Sequence, residues 1–185
     1  SDLTGLDPVF QWALHAGREA LNGVHGPRSK AGVILGNLSF PSSALSQFAQ
    51  ATWLDGAPSS LRRHGQPIDP RNRFMSGLPS HLLAQALQLG AGAFALDAAC
   101  ASSLYAIKFA CDKLHDGDAD LMLAGAVNRA DDLFIHVGFS ALQALSPSGQ
   151  SRPFHIDADG LVPAEGVALV ALKRLADAVR DGDTI

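Results

Sequence analysis

The chain has 185 residues, 47% of them hydrophobic, and a net charge of −4, which fits one globular domain or part of one and excludes a wholly disordered chain. No apolar run reaches the roughly 18 residues needed to cross a bilayer. Lysine and arginine form no cluster and the 6% of aromatic residues are scattered, so a nucleic-acid surface has neither electrostatic nor stacking support.

Taken in order, Asp7 is the predicted N-cap of a first helix with Pro8 at its first position, continuing through Trp12, Leu14 and Leu21 and stopping near Gly23. Ala31 to Gly36 reads as a short buried strand. A second helix starts at Ser42 or Ser43 and runs to about Trp53. Leu54 to Gly77 is a long stretch carrying three prolines and four arginines without clear periodicity, and structureless loops of that length tend to be functional or mobile. A third helix covers Pro79 to Leu89 and ends at Gly90. The apolar run Ala93-Phe94-Ala95-Leu96 is a strand, followed by a helix to about His115 and an Asp116-Gly117-Asp118 turn. Leu121 to Gly125 is the next strand, which completes a β–α–β unit. Asp131 to Leu145 is helical in part, Val167 to Leu172 is a strand, and Arg174 to Val179 is a helix. Asp181 to Ile185 reads as a turn leading toward a further strand that is itself missing, so the chain is expected to stop within its fold. Continuous apolar strands separated by helices predict an α/β fold with a mostly parallel sheet covered on both faces.

The most informative segment is Asp97-Ala98-Ala99-Cys100-Ala101-Ser102-Ser103-Leu104. It places Cys100 where a strand turns into a helix whose Leu104, Ile107, Cys111 and Leu114 would form one packed stripe. A thiol in the first turn of a helix meets unpaired N–H groups and the positive end of the dipole, both of which favour the nucleophilic thiolate. Small neighbours (Ala98, Ala99, Ala101, Ser102) would let a substrate carbonyl approach. The competing reading is a buried thiol acting as a small hydrophobe, and Cys111 on the apolar stripe is read that way. A disulfide between the two is excluded, because eleven helical residues span about 16 Å against a reach of about 7 Å. Two unpaired cysteines and no signal peptide point to a reducing, cytoplasmic compartment.

Other motifs do not complete a site. His155-Ile156-Asp157-Ala158-Asp159-Gly160 resembles the start of a calcium loop, but it opens on histidine and its twelfth position is Gly166, with Glu165 one residue early. Asn37-Leu38-Ser39 matches a glycosylation sequon that a cytoplasmic chain would not use. Gly90-Ala91-Gly92 does not extend to a dinucleotide loop, and no histidine stands at a metal-ligand spacing. His15, His25, His64, His81, His115 and His136 are expected at the surface or in ordinary hydrogen bonds. No metal or bound cofactor is expected.

The segment around Cys100 resembles the nucleophile motif of β-ketoacyl synthases, the condensing enzymes of fatty-acid and polyketide assembly. Further segments agree in order: Leu6-Asp7-Pro8, Asp120 to Asn128, Leu145-Ser146-Pro147-Ser148-Gly149, Arg152-Pro153-Phe154 and Asp159 to Gly166. Asn72 to Pro79 and Ser103 to Lys108 are most similar to ketosynthase domains of type I polyketide synthases and polyunsaturated-fatty-acid synthases. The resemblance implies a thiolase-like fold, of which this chain is an internal section, mostly from the N-terminal half. The family's Gly-rich first strand and its two histidine motifs, His-Gly-Thr-Gly-Thr and Gly-His, are missing.

The resemblance assigns one catalytic residue, Cys100, which would accept an acyl chain as a thioester before decarboxylative condensation with a malonyl-type extender. That transfer needs a thiolate and backbone donors for the oxyanion, the N–H of Cys100 being one. Substrates would arrive on the phosphopantetheine of an acyl carrier protein. The family is a homodimer, and by resemblance Phe94, Ala95 and Leu96 would lie near its axis. Ala98 and Ala101 stand where many relatives have threonine and serine, and His155 where many have aspartate; His155 is not read as a catalytic base. Three other readings remain open: a non-elongating synthase that transfers acyl chains, a scaffold or docking module with Cys100 buried, and a cysteine hydrolase, for which no partner histidine motif is present.

Overall fold

The computed structural model describes residues 3–38, 42–53 and 69–185. In chain order they form α1 (Pro8–Ala20), β1 (Ala31–Gly36), α2 (Ser43–Trp53), α3 (Leu78–Leu87), β2 (Ala93–Leu96), α4 (Ser102–His115), β3 (Leu121–Asn128), α5 (Leu133–Ala141), β4 (Gly166–Leu172) and α6 (Leu175–Asp181). One sheet has the order β2-β1-β3-β4. β1 runs parallel to both β2 and β3, and β4 is antiparallel to β3.

Alternate residues of the central strands feed two separate cores, as the period of a pleated strand requires. Val33, Leu35, Leu121, Leu123 and Val127 turn to one face, where Val9, Phe10 and Ala13 of α1 and Leu83 of α3 cover them. Ile34, Met122 and Ala124 turn to the other, against Ala106, Ala110 and Leu114 of α4. The sheet is therefore mostly parallel and covered on both sides.

β1 and β2 have the bounds predicted from their apolar runs. Elsewhere the ends move for identifiable reasons. Helix α1 stops at Ala20, before Gly23, with Leu21 as its C-cap. Helix α3 stops at Leu87 because Gln88 takes a left-handed conformation, φ 59°. Strand β3 continues past Gly125 to Asn128, because Ala126, Val127 and Asn128 pair with Ala168, Val167 and Gly166 of β4. Within 131–145 the helix is α5, whose N-cap Asp132 accepts the Phe134 N–H at 2.9 Å. Arg174 is the N-cap of α6 rather than its first residue, and Gly182 ends that helix with φ 73°. After that turn residues 183–185 form no strand. Of the predicted loop, 54–68 lies outside the described residues, and Pro70–Phe74 is a short 3-10 helix capped by Asp69.

The predicted stripe of α4 holds at Leu114, which is buried, and at Ile107, which packs against the same core, and needs correction at Leu104 and Cys111. The residues facing the sheet are Ser102, Ala106, Ala110 and Leu114, whereas Leu104 is 69% exposed. Small side chains at successive fourth positions let this helix lie close to β1 and β3, which turns Leu104 outward. Cys111, read as core, is only half-buried.

Candidate active site

β2 ends at Leu96, and the next five residues carry the chain into α4 through a tight elbow. Asp97 Oδ1 accepts the Ala99 N–H at 2.9 Å. Ala99 is left-handed, with φ 49°, a conformation that costs an L-residue about 1–2 kcal/mol and so needs support. The Ala101 and Ser102 N–H groups return to the Ala98 and Ala99 carbonyls, each at 3.1 Å. The Ser102 hydroxyl closes the structure, accepting the Ala98 N–H at 2.9 Å and donating to the Ala99 carbonyl at 2.6 Å.

Cys100 stands at the crest of this elbow and is exposed. It precedes α4 rather than occupying the helix's first turn: Ala101 is the N-cap and Ser102 the first helical residue. Ala101 supplies no side-chain acceptor, so the leading N–H groups of α4 are not capped by a side chain. Both cysteines are free thiols.

The start of α4 docks against the end of β1, and glycine permits it. A Cβ at Gly36 would lie 2.7 Å from the Ser102 carbonyl carbon and 2.8 Å from its Cβ. The elbow is thereby held at the carboxyl ends of β1 and β2, where open α/β sheets place their ligands. An open groove of about 420 Å³ adjoins it, lined by Asn37, Ser76, Gly77, Leu96 and Asp97 among others. Asn37, the sequon asparagine, is buried there and donates to the Met75 carbonyl at 2.7 Å and the Ser76 carbonyl at 3.2 Å.

The histidines lie elsewhere. His15, His81, His115 and His136 are exposed, His25 is bonded to Asp183 at 2.9 Å, and His64 lies outside the described residues. His155 Nδ1 accepts the Asp157 N–H within its own turn at 3.1 Å. Among the described residues no three His, Cys, Asp or Glu side chains gather around a metal position, and none of the described helices is long and apolar enough to cross a membrane. Sequence reasoning named Ser102 only as a small residue and did not connect Gly36 to the site. The Gly36 contact has no local signature, because it depends on how β1 and α4 meet in space, and the Ser102 bonds, although they reach only residues 98 and 99, require the left-handed turn at Ala99, which an alanine does not announce.

A profile of the "Beta-ketoacyl synthase, N-terminal domain" family matches residues 1–178. The chain is 37% identical to a polyunsaturated fatty acid synthase protein of Thraustochytrium sp. over 85% of its own length and 8% of that protein's. It is 47% identical to a mycocerosic acid synthase-like polyketide synthase of Mycolicibacterium smegmatis over 58% of this chain and 5% of the relative. It thus spans less than a tenth of these curated relatives. Among solved structures, the PfaC keto synthase–chain length factor superposes on 99% of this chain and 22% of its own, with a TM-score of 0.88 and 40% identity. The ketosynthase from module 6 of the bacillaene synthase of Bacillus subtilis 168 covers 97% of the chain and 29% of its own, with a TM-score of 0.71 and 26% identity. These neighbours make the fold thiolase-like, and the chain belongs to the β-ketoacyl synthase family, within the ketosynthases of polyketide and polyunsaturated-fatty-acid synthases.

Proposed function

We propose that Cys100 is the acyl-accepting nucleophile of a condensing reaction. Its thiolate attacks the carbonyl of an acyl thioester, the bond to the phosphopantetheine sulfur breaks, and that thiol leaves on its carrier protein. A malonyl-type extender on a second carrier then loses carbon dioxide, and the resulting carbanion forms a carbon–carbon bond to the acyl carbonyl. The Cys100–acyl bond breaks and the thiolate is restored. The observation that carries this reading is an exposed cysteine at the crest of a braced strand-to-helix elbow, in a chain of this family.

Within this reading the chain is an internal section of the domain, without its first strand and its C-terminal half. The decarboxylating histidines then belong to the rest of the protein, and this section alone does not condense. The partners proposed are an acyl carrier protein and a second copy of the chain. Phe94, Ala95 and Leu96 support the latter, since β2 is an edge of the sheet and Phe94 on it is exposed. The site needs no bound cofactor in this scheme, and a reducing cytoplasm would keep both thiols free.

The test is condensation by the full-length protein supplied with acyl- and malonyl-carrier protein. A β-ketoacyl product that disappears in Cys100→Ala supports the reading. Transfer of acyl groups without carbon dioxide release would favour a non-elongating synthase, release of free acid a hydrolase, and a product unchanged by C100A would overturn the role of Cys100.

A further inference from the structure

We infer that Ser102 is the positioning residue of the nucleophile, acting through the backbone on either side of it. The inference rests on the reading of Cys100 as the reactive thiol. Ser102 is 2% exposed, and its hydroxyl makes two bonds, both to residues on the other side of Cys100 in the chain. It accepts the Ala98 N–H at 2.9 Å and donates to the Ala99 carbonyl at 2.6 Å, so its one proton and an acceptor site are committed. The bonds form a staple over Cys100, joining residues 98 and 99 to the first residue of α4.

The staple holds Ala99 at φ 49°, where an alanine does not stay by preference. If Ala99 relaxed to negative φ, the following peptide would rotate and carry the Cα–Cβ bond of Cys100 with it. Gly36 holds the other side of Ser102, because its Cα approaches Ser102 without room for a side chain. Ser102 is thus gripped between the end of β1 and the elbow, and the direction of the sulfur is set by a hydroxyl that itself never meets substrate.

The test uses the full-length protein and two measurements on Cys100: acylation by an N-acetylcysteamine thioester, and alkylation by iodoacetamide, with Cys111 as the internal reference. In Ser102→Ala both Cys100 rates are expected to fall about 10-fold, the scale of a reacting group displaced by a fraction of an ångström, while the Cys111 rate stays within twofold. Glycine at position 99 adopts positive φ without a steric cost, so in an Ala99→Gly background S102A is expected to cost only about threefold or less, a non-additivity that loss of packing alone would not produce. A loss under about twofold in S102A, or an equal loss in both backgrounds, overturns the inference. Should S102A unmask Cys111, showing that the elbow has unfolded, Ser102→Thr carries the test: with the hydroxyl kept, its Cys100 rate stays within about threefold of the parent's, and a greater loss counts against the staple. If the parent forms no acyl-Cys100 the proposed function fails, while the iodoacetamide measurement still decides the role of Ser102.

Discussion

Gly36 and Ser102 are in direct backbone contact: a Cβ built on the glycine would lie 2.9 Å from the Ser102 carbonyl oxygen as well as 2.7 Å from its carbonyl carbon. These are main-chain atoms of a helix start, which cannot swing aside as a side-chain tip would. Gly36→Ala is therefore expected to push α4 away from β1. The predicted cost is about 1–3 kcal/mol of stability, measured as a shift of the urea midpoint, with a parallel loss of Cys100 acylation. An alanine variant as stable and as reactive as the parent would mean that the contact is slack.

The two cysteines provide a comparison within one molecule. Cys100 is exposed at the elbow and Cys111 is half-buried on the same helix. Iodoacetamide at neutral pH is expected to modify Cys100 about 10-fold faster or more, following access and local environment, as read by peptide mass. Equal slow rates would favour the scaffold reading.

Arg129 gathers the ends of three segments. It pairs with Asp131 at 2.7 Å, with Glu165, and with the buried N-cap Asp7 at 3.5 Å, and its guanidinium lies 5.2 Å from the Trp12 ring centre. Asp7 Oδ1 meanwhile accepts the Val9 N–H at 3.0 Å to start α1. Arg129→Met would leave a carboxylate that is 1% exposed without its cation. We expect a loss of about 3 kcal/mol, the scale of breaking a buried pair from one side, visible as a lowered urea midpoint. Asp7→Asn in the same background should recover part of it, by removing the stranded charge.

A second cluster makes stability acid-sensitive. Hydrogen bonds from Lys173 and from the His25 N–H hold the Asp183 carboxyl at about 2, below its ordinary 3.8. Because the folded value lies below the unfolded one, the contribution is complete above about pH 4 and is lost as pH falls through about 2. Burial acts to lower the Lys173 pKa, but its bonds to Asp181 and Asp183 outweigh this and raise it, so Lys173 stays charged throughout that window. Melting temperatures between pH 2 and 5 should fall less steeply in Asp183→Asn than in the parent. Identical slopes would show that the cluster does not couple to folding.

The parts legible in the sequence are those with a local cause. The uninterrupted apolar runs of Ala31–Gly36 and Ala93–Leu96 gave strands with those bounds, and Asp7 with Pro8 marked the start of α1. The order of motifs around Cys100 identified the family. The hidden parts depend on partners far along the chain. β3 is longer than its apolar core because β4, some forty residues on, pairs with Ala126 to Asn128. The buried face of α4 is set by close approach of Ala106 and Ala110 to the sheet, which favours small residues where periodicity favoured Leu104. The staple made by Ser102 is the exception: it is short-range, reaching only Ala98 and Ala99, but serine at a helix start is ordinary and does not reveal it.

The central claim is that the Cys100 sulfur takes up the acyl group, and the most direct measurement is the mass of the Cys100 peptide after the full-length protein has been loaded with acyl-carrier protein and quenched with acid. The expected result is one acyl adduct per chain on Cys100, none on Cys111, and none in C100A. An unmodified Cys100 in protein that still consumes the acyl thioester, or an adduct that persists in C100A, would contradict it.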